Sequence, residues 1–220
     1  MLEEVFHIPK PYDPGVDYLA LAKARARELF KGRTIVVTGA SGLLGIHLVE
    51  QFLYAGAIVR AVIHERPFHL KDDNLTTVRA DLTVQEACDS VMSGADIACL
   101  CASKVVGAGV AVVDPAYAVT DNLVIASRCL HAAAKARMER ILLVSSTTVY
   151  PDVPDVRELD GQFGEPHVAY QGVGNMKRYI EILAKFYQDK YEVQCAIVRP
   201  VPYYGRFDNF ELGSCHVIPA

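Results

Sequence analysis

The run Ile35-Val36-Val37-Thr38-Gly39-Ala40-Ser41-Gly42-Leu43-Leu44-Gly45 constrains this chain more than any other segment. A β-branched apolar stretch opens into glycines spaced three apart and then into apolar residues at helical spacing, which reads as a strand, a tight turn and a helix N-terminus. Side chains at those glycines would keep the backbone away from the pyrophosphate of a dinucleotide. The exposed N–H groups and the dipole of the helix favour that anion. The flanks agree: Ile46 to Tyr54 keeps the helical spacing, Ala55-Gly56 ends it, and Ile58-Val59-Arg60-Ala61-Val62-Ile63 reads as a second strand. In this context NAD or NADP is the expected ligand, held by Gly39, Ser41, Gly42, Leu43 and Gly45.

The 220 residues, 51% hydrophobic and 22% charged, can bury a full core, and no segment approaches the length of an uncharged membrane span. A net charge of −4 supplies no basic field for nucleic acid. Six cysteines (Cys88, Cys99, Cys101, Cys129, Cys195, Cys215) fall mostly inside expected strands and helices, without metal-type spacing, and the acidic start Met1-Leu2-Glu3-Glu4 has no signal-peptide pattern. They read as buried thiols of a cytoplasmic protein, and no metal site is expected.

Pro9 to Gly15 is turn-rich, and Val16 to Phe30 reads as an amphipathic helix within an N-terminal extension, 1–31. Strands are predicted near 34–38, 58–63, 76–79, 96–101, 141–146 and 193–198, and helices near 43–55, 84–92, 115–136 and 172–190. Strands that alternate with helices and are nearly continuous in apolar residues mean an α/β fold with a doubly wound parallel sheet, the Rossmann fold, over 32–200.

From about Gly32 onward the chain resembles the extended short-chain dehydrogenase/reductase family of nucleotide-sugar epimerases, dehydratases and reductases. The resemblance rests on Thr38 to Gly45, Ala80-Asp81-Leu82, Ala102-Ser103-Lys104, Asp121-Asn122-Leu123, Ser145 to Pro151, and Arg199-Pro200 with Tyr204-Gly205, all in family order. It implies adenine contact at Asp81 and Leu82, and approach to the cofactor's phosphate and ribose at Ala102 and Lys104. It further implies a structural and catalytic asparagine at Asn122, a catalytic serine at Ser146, and a homodimer built through the helices near 115–136 and 172–190. Residues 201–220 read as the start of a substrate region that is otherwise largely absent. Within the family, Asp208-Asn209-Phe210 and His216-Val217-Ile218-Pro219-Ala220 are similar to the GDP-fucose synthases, which implies a GDP-linked sugar with Thr148, Tyr204 and His216 near it. In those enzymes a cysteine stands where Thr148 is here, and an alkoxide is far too basic for its role as a general base.

The family's chemistry uses a tyrosine four residues before a lysine on one helix. Here Tyr170 is followed at four by Gly174, and Lys177 is preceded at four by Val173. Spacing to Glu181 and Arg199-Pro200 selects Lys177 as the lysine that holds the nicotinamide ribose. Tyr170, seven residues earlier, becomes the proton carrier if Gly172 and Gly174 permit an irregular approach. An NAD-specific site carries an acid at the end of the second strand, where Ile63 stands. His64 and Arg66 follow it, with Glu65 between them, and these cations favour NADP. The expected function is a nucleotide-sugar epimerase, dehydratase or reductase working through a keto-sugar. The alternative is a cofactor-binding or regulatory protein that has lost its proton carrier.

Overall fold

The computed structural model describes residues 17–104, 116 and 118–208. Helix α1 (Tyr18–Phe30) is capped by Asp17, whose carboxylate accepts from the Ala20 N–H, and its last ring, Phe30, meets Phe52 edge-on at 5.1 Å. There follow β1 (Thr34–Thr38), α2 (Leu43–Tyr54), β2 (Ile58–Ile63), β3 (Leu75–Arg79), α3 (Gln85–Met92), β4 (Ile97–Leu100), α4 (Val119–Lys135), β5 (Arg140–Val144), α5 (Gln171–Tyr191) and β6 (Gln194–Val198). Short 3-10 turns at Thr147–Val149, Glu158–Gln162 and Val168–Tyr170 lie between β5 and α5.

The six strands of the sheet pair in parallel, in the order β3-β2-β1-β4-β5-β6. The order reverses between β1 and β4, and that switch point opens a crevice at the carboxyl ends of the strands. Alternate side chains of each strand serve opposite layers, as the twofold period of a strand requires. Ile35, Val37, Val59 and Ala61 pack on α2, whereas Val36, Val62, Ile141 and Leu143 pack on α3, α4 and α5. The fifth and fourth strands are shorter than expected at their carboxyl ends. Ser145 still donates its N–H to the Val198 carbonyl at 2.8 Å, but Ser146 leaves the sheet to cap the turn at 147–149.

The described cysteines are free thiols, and Cys88, Cys99 and Cys129 are buried, with the sulfurs of Cys88 and Cys129 3.9 Å apart. Pro9 to Gly15 and Cys215 lie outside the described residues. Among the described residues no helix is long and apolar enough to cross a membrane.

A buried polar network closes the carboxyl end of β5. Ser145 Oγ donates to Glu181 on α5, and the Arg199 guanidinium, just past β6, grips the same carboxylate through Nε at 2.9 Å and Nη2 at 2.6 Å. Side-chain exposure is only 11% for Arg199 and 7% for Glu181, so either charge left alone would be stranded away from water. Arg199→Met should therefore lower unfolding stability by about 3–5 kcal/mol, read from urea denaturation followed by circular dichroism. A curve superimposable on that of the wild type would mean that the pair holds nothing together.

Candidate active site

At the switch point the backbone of the β1–α2 turn runs against the exit of β4. Gly39 adopts φ +64°, and a β-carbon there would sit 2.8 Å from the Ala102 Cα. A β-carbon at Gly45 would fall inside contact distance of the Gly39 carbonyl, so α2 can start this close to β1 only with glycine at that position. Gly42 is the extended residue that opens α2; its N–H closes the turn onto the Gly39 carbonyl at 2.9 Å, and Ser41 and Leu43 are partly exposed beside it. Thr38 fastens the other wall. Its Oγ1 accepts from the N–H groups of Cys101 at 3.0 Å and Ala102 at 3.1 Å and donates to the Cys99 carbonyl. The result is a bare cradle at a helix N-terminus, a shape that fits a dinucleotide pyrophosphate.

Farther along, the buried Asn122 amide clamps Lys104 on both sides, with Oδ1 accepting from its N–H at 2.7 Å and Nδ2 donating to its carbonyl at 3.0 Å. The Lys104 ammonium pairs with Asp121. Asp81 accepts from the N–H and the hydroxyl of Thr83 at 2.9 and 2.7 Å, and these two bonds hold its carboxyl below the usual range. Leu82 beside it is buried. Ile63 ends β2 with His64, Glu65 and Arg66 exposed after it. Arg79 pairs with Ile63 in strand register, and its guanidinium donates to the His64 carbonyl, adding a cation to this corner. Sequence reading missed Arg79, whose place beside the end of β2 depends on the pairing of β3 with β2.

Across the crevice, Lys177 on α5 donates to the Val144 carbonyl at 3.0 Å. Burial pushes its ammonium below the ordinary lysine value, while Glu181 and Cys101 oppose the shift. Lys177, Thr38, Ala102, Ser103 and Asn122 line one cavity of about 10 Å³, so the structure brings together these sequence-derived positions from four parts of the chain. Ser146 Oγ accepts from the Thr148 N–H at 3.2 Å, and Thr148 Oγ1 is buried without a hydrogen-bond partner.

Tyr170 is placed differently. It ends the 3-10 turn before α5, is 49% exposed, and sets its ring 5.9 Å from that of His167; among the described residues no hydrogen bond joins it to Lys177. The α-helix itself is continuous from Gln171 through Gly172 and Gly174, so Tyr170 approaches it on the preceding 3-10 turn, as its N-cap at φ −121°. Gly174 has a packing reason instead: a β-carbon there would meet the Thr148 carbonyl and lie 2.7 Å from Pro166 Cβ. Tyr204 is exposed after β6, and His216 lies outside the described residues. Among the described residues no group of three His, Cys, Asp or Glu side chains could hold a metal ion. Sequence reading missed the contact of His47 on α2 with the Arg206 carbonyl, 159 residues apart and without any local signal.

Gly45→Ala should abolish dinucleotide binding and cost about 1–3 kcal/mol of stability through overpacking. Fluorescence titration with reduced dinucleotide checks the first, and unaltered affinity would show that the turn does not set the fit.

A sequence profile for the NAD dependent epimerase/dehydratase family matches residues 35–220. The chain is 28% identical over 200 residues to a dTDP-4-dehydro-6-deoxy-D-allose reductase of a Streptomyces species, covering 86% of this chain and 61% of that protein. It is 26% identical over 197 residues to the GDP-L-fucose synthase of Escherichia coli K12, covering 84% and 56%. The chain thus spans little more than half the length of these curated relatives. Among solved structures, a GDP-D-glycero-L-gluco-heptose synthase of Campylobacter jejuni, determined in the presence of NADPH, superposes with a TM-score of 0.71 at 20% identity, covering 86% of this chain and 53% of that one.

Proposed function

Because the chain belongs to the NAD dependent epimerase/dehydratase family, we propose that it binds NAD(P) in the crevice between β1 and β4 and converts a nucleotide sugar, as an epimerase, dehydratase or reductase, through a keto-sugar. The observation that carries this reading is the convergence of Thr38 and Ala102, which bound the glycine turn, with Asn122 and Lys177 on one cavity. A dinucleotide held along the wider crevice, of which that small cavity is one corner, would supply or accept the hydride. The residues of the chain bind it, orient it and handle the remaining hydrogen bonds.

Gly39 to Gly45 presents bare backbone and the first N–H groups of α2 to the pyrophosphate. Lys177 uses one of its three ammonium hydrogens on Val144, which fixes its direction and leaves two donors for ribose hydroxyls. Asn122 holds the Lys104 backbone, and with it the wall that faces the ribose. Ser146 accepts from Thr148 and so keeps its own hydrogen to polarise a sugar oxygen, while the unpartnered Thr148 hydroxyl suits a sugar hydroxyl.

His64, Arg66 and Arg79 at the ends of β2 and β3 favour a 2′-phosphate, hence NADP over NAD. The likeness to GDP-L-fucose synthase supports a GDP-linked sugar. Exposed Ile182, Phe186 and Tyr191 on α5 support a homodimer through the α4–α5 face, and the free thiols of Cys88 and Cys129 suit a reducing cytoplasm. One observation favours a second reading, a cofactor-binding protein without turnover: Val173 stands four residues before Lys177, packed on the core with no proton to exchange.

Titration with NADP(H) and NAD(H), followed by absorbance and chromatography with GDP-, UDP- and dTDP-sugars, separates the readings. The expected outcome is tighter NADPH than NADH binding, by about tenfold for one charge-assisted contact, and conversion of a sugar nucleotide; binding without conversion would favour the second reading. Arg79→Ala should erase most of the preference. Lys177→Met should weaken dinucleotide binding by about 10–100-fold through loss of charged donors. Its urea midpoint should hold or rise, because a desolvated ammonium is removed. A lower midpoint with wild-type affinity would make Lys177 a structural cation.

A further inference from the structure

The packed layer between α3 and α4 holds two thiols that the proposed reaction does not use. Cys88 on α3 and Cys129 on α4 are buried, and their sulfurs lie 3.9 Å apart. The Cys88 thiol donates to the Leu82 carbonyl at 3.3 Å, so the hydrogen shared between the two sulfurs is that of Cys129. A relay results, from Cys129 through Cys88 to Leu82.

The relay ends on the turn Asp81-Leu82-Thr83, which leads from the carboxyl end of β3 into α3. Helix α4 grips this turn at two successive carbonyls. Arg128 donates to that of Thr83 directly, and Cys129 reaches that of Leu82 through Cys88. The Ala80 N–H donates to the Ile63 carbonyl at 2.9 Å, so the turn adjoins the corner of His64 and Arg66 where the proposed function seats the 2′-phosphate. Helix α3 has only eight residues, and its Asp89 carboxylate lies 2.5 Å from Lys135 Nζ on α4. A change at the sulfurs therefore acts on a short helix and on the turn that starts it.

We propose that Cys88 and Cys129 are a peroxide-reactive dithiol whose disulfide releases the Leu82 carbonyl and loosens the dinucleotide site. The two thiols differ in a way that suits the two roles. The hydrogen bond from Cys129 holds the Cys88 thiol below its ordinary value, against burial and aided by Arg128, so Cys88 is the nucleophile and Cys129 the resolving thiol. Hydrogen peroxide is small and uncharged, and Asp81 and Val84 on either side of the turn are exposed, so opening of that one turn admits it. The Cys88 thiolate attacks one peroxide oxygen, the O–O bond breaks, and the departing hydroxide takes the thiol proton as water, leaving a sulfenic acid. The Cys129 sulfur then attacks the Cys88 sulfur, the S–O bond breaks, and the hydroxyl leaves with the Cys129 proton as a second water. Two thiols are oxidised and one peroxide is reduced; a dithiol reductant reverses the change. A disulfide holds its sulfurs about 2.05 Å apart, so the pair closes by roughly 2 Å from its 3.9 Å separation. Neither sulfur then carries a hydrogen, and the Leu82 carbonyl loses its donor.

The thiol chemistry stands by itself, whereas its effect on binding rests on the proposed function, and the experiment keeps the two apart. Wild-type protein is treated with hydrogen peroxide, quenched with catalase, alkylated in denaturant and digested. Mass spectrometry should show a linked Cys88–Cys129 peptide pair that dithiothreitol separates, and in Cys129→Ser dimedone should trap a sulfenic acid at Cys88. Alkylated thiols at both positions after peroxide, or a sulfinic acid at Cys88 without a link, overturn the proposal. The linked protein should bind NADPH about 3–10-fold more weakly, the worth of one lost hydrogen bond, and recover with dithiothreitol, while the affinity of Cys88→Ala ignores peroxide. Linked protein with full affinity overturns the coupling to the turn. Reduced wild type that binds no NADPH overturns the dinucleotide reading and leaves the disulfide standing.

Discussion

How near the first turn of α2 can come to the end of β1 decides what the rest of the molecule can be. With Gly45 lacking a side chain, the helix begins against the Gly39 carbonyl, and with Gly39 at positive φ the turn lies against Ala102 at the exit of β4. The Thr38 hydroxyl then ties that exit back to β1. Three chain segments are thereby held together by contacts of the chain itself, which fixes the shape of the crevice. The parallel order of the sheet carries the same geometry outward, because each added strand ends at the same rim.

Helix α5 divides two opposite charges between two tasks. Lys177 and Glu181 lie one turn apart on a shared, buried face. The lysine points to the end of β5 and faces the crevice, whereas the glutamate takes Ser145 and Arg199 and fixes the departure of the chain from β6. An isolated charge at either position would be costly in so dry a layer. The ion pair at Glu181 thus holds the chain where it leaves β6, and the proximity of the carboxylate partly offsets the desolvation of Lys177.

Local pattern carried most of the fold. Apolar runs gave the strands of the sheet, and Asn122 and Lys177, which line the small cavity beside Thr38 and Ala102, were legible because each sits on a helix face that periodicity reveals. Three features were hidden for physical reasons. Tyr170 looked able to reach Lys177 only while α5 was free to start irregularly, and Gly174 proved to be a packing contact with Thr148 and Pro166. Glu181 and Arg199 were visible as spacing marks, but their pairing depends on β6 closing beside β5. The bond between His47 and Arg206 joins the two halves of the sheet across 159 residues, and no periodicity encodes it.

The thiols of the core carry a practical consequence. Burial holds the Cys99 thiol well above its ordinary value and pushes those of Cys101 and Cys195 up to about 12 and about 11, so almost no thiolate is present near neutral pH while the sheet is closed. Alkylating reagents attack the thiolate, so the buried Cys99 reacts only as fast as the sheet around it opens, whereas the partly exposed Cys101 and Cys195 react through their small thiolate fraction. Cys99 sits at the switch point, so its labelling is a built-in clock for the opening of that point against the two partly exposed thiols.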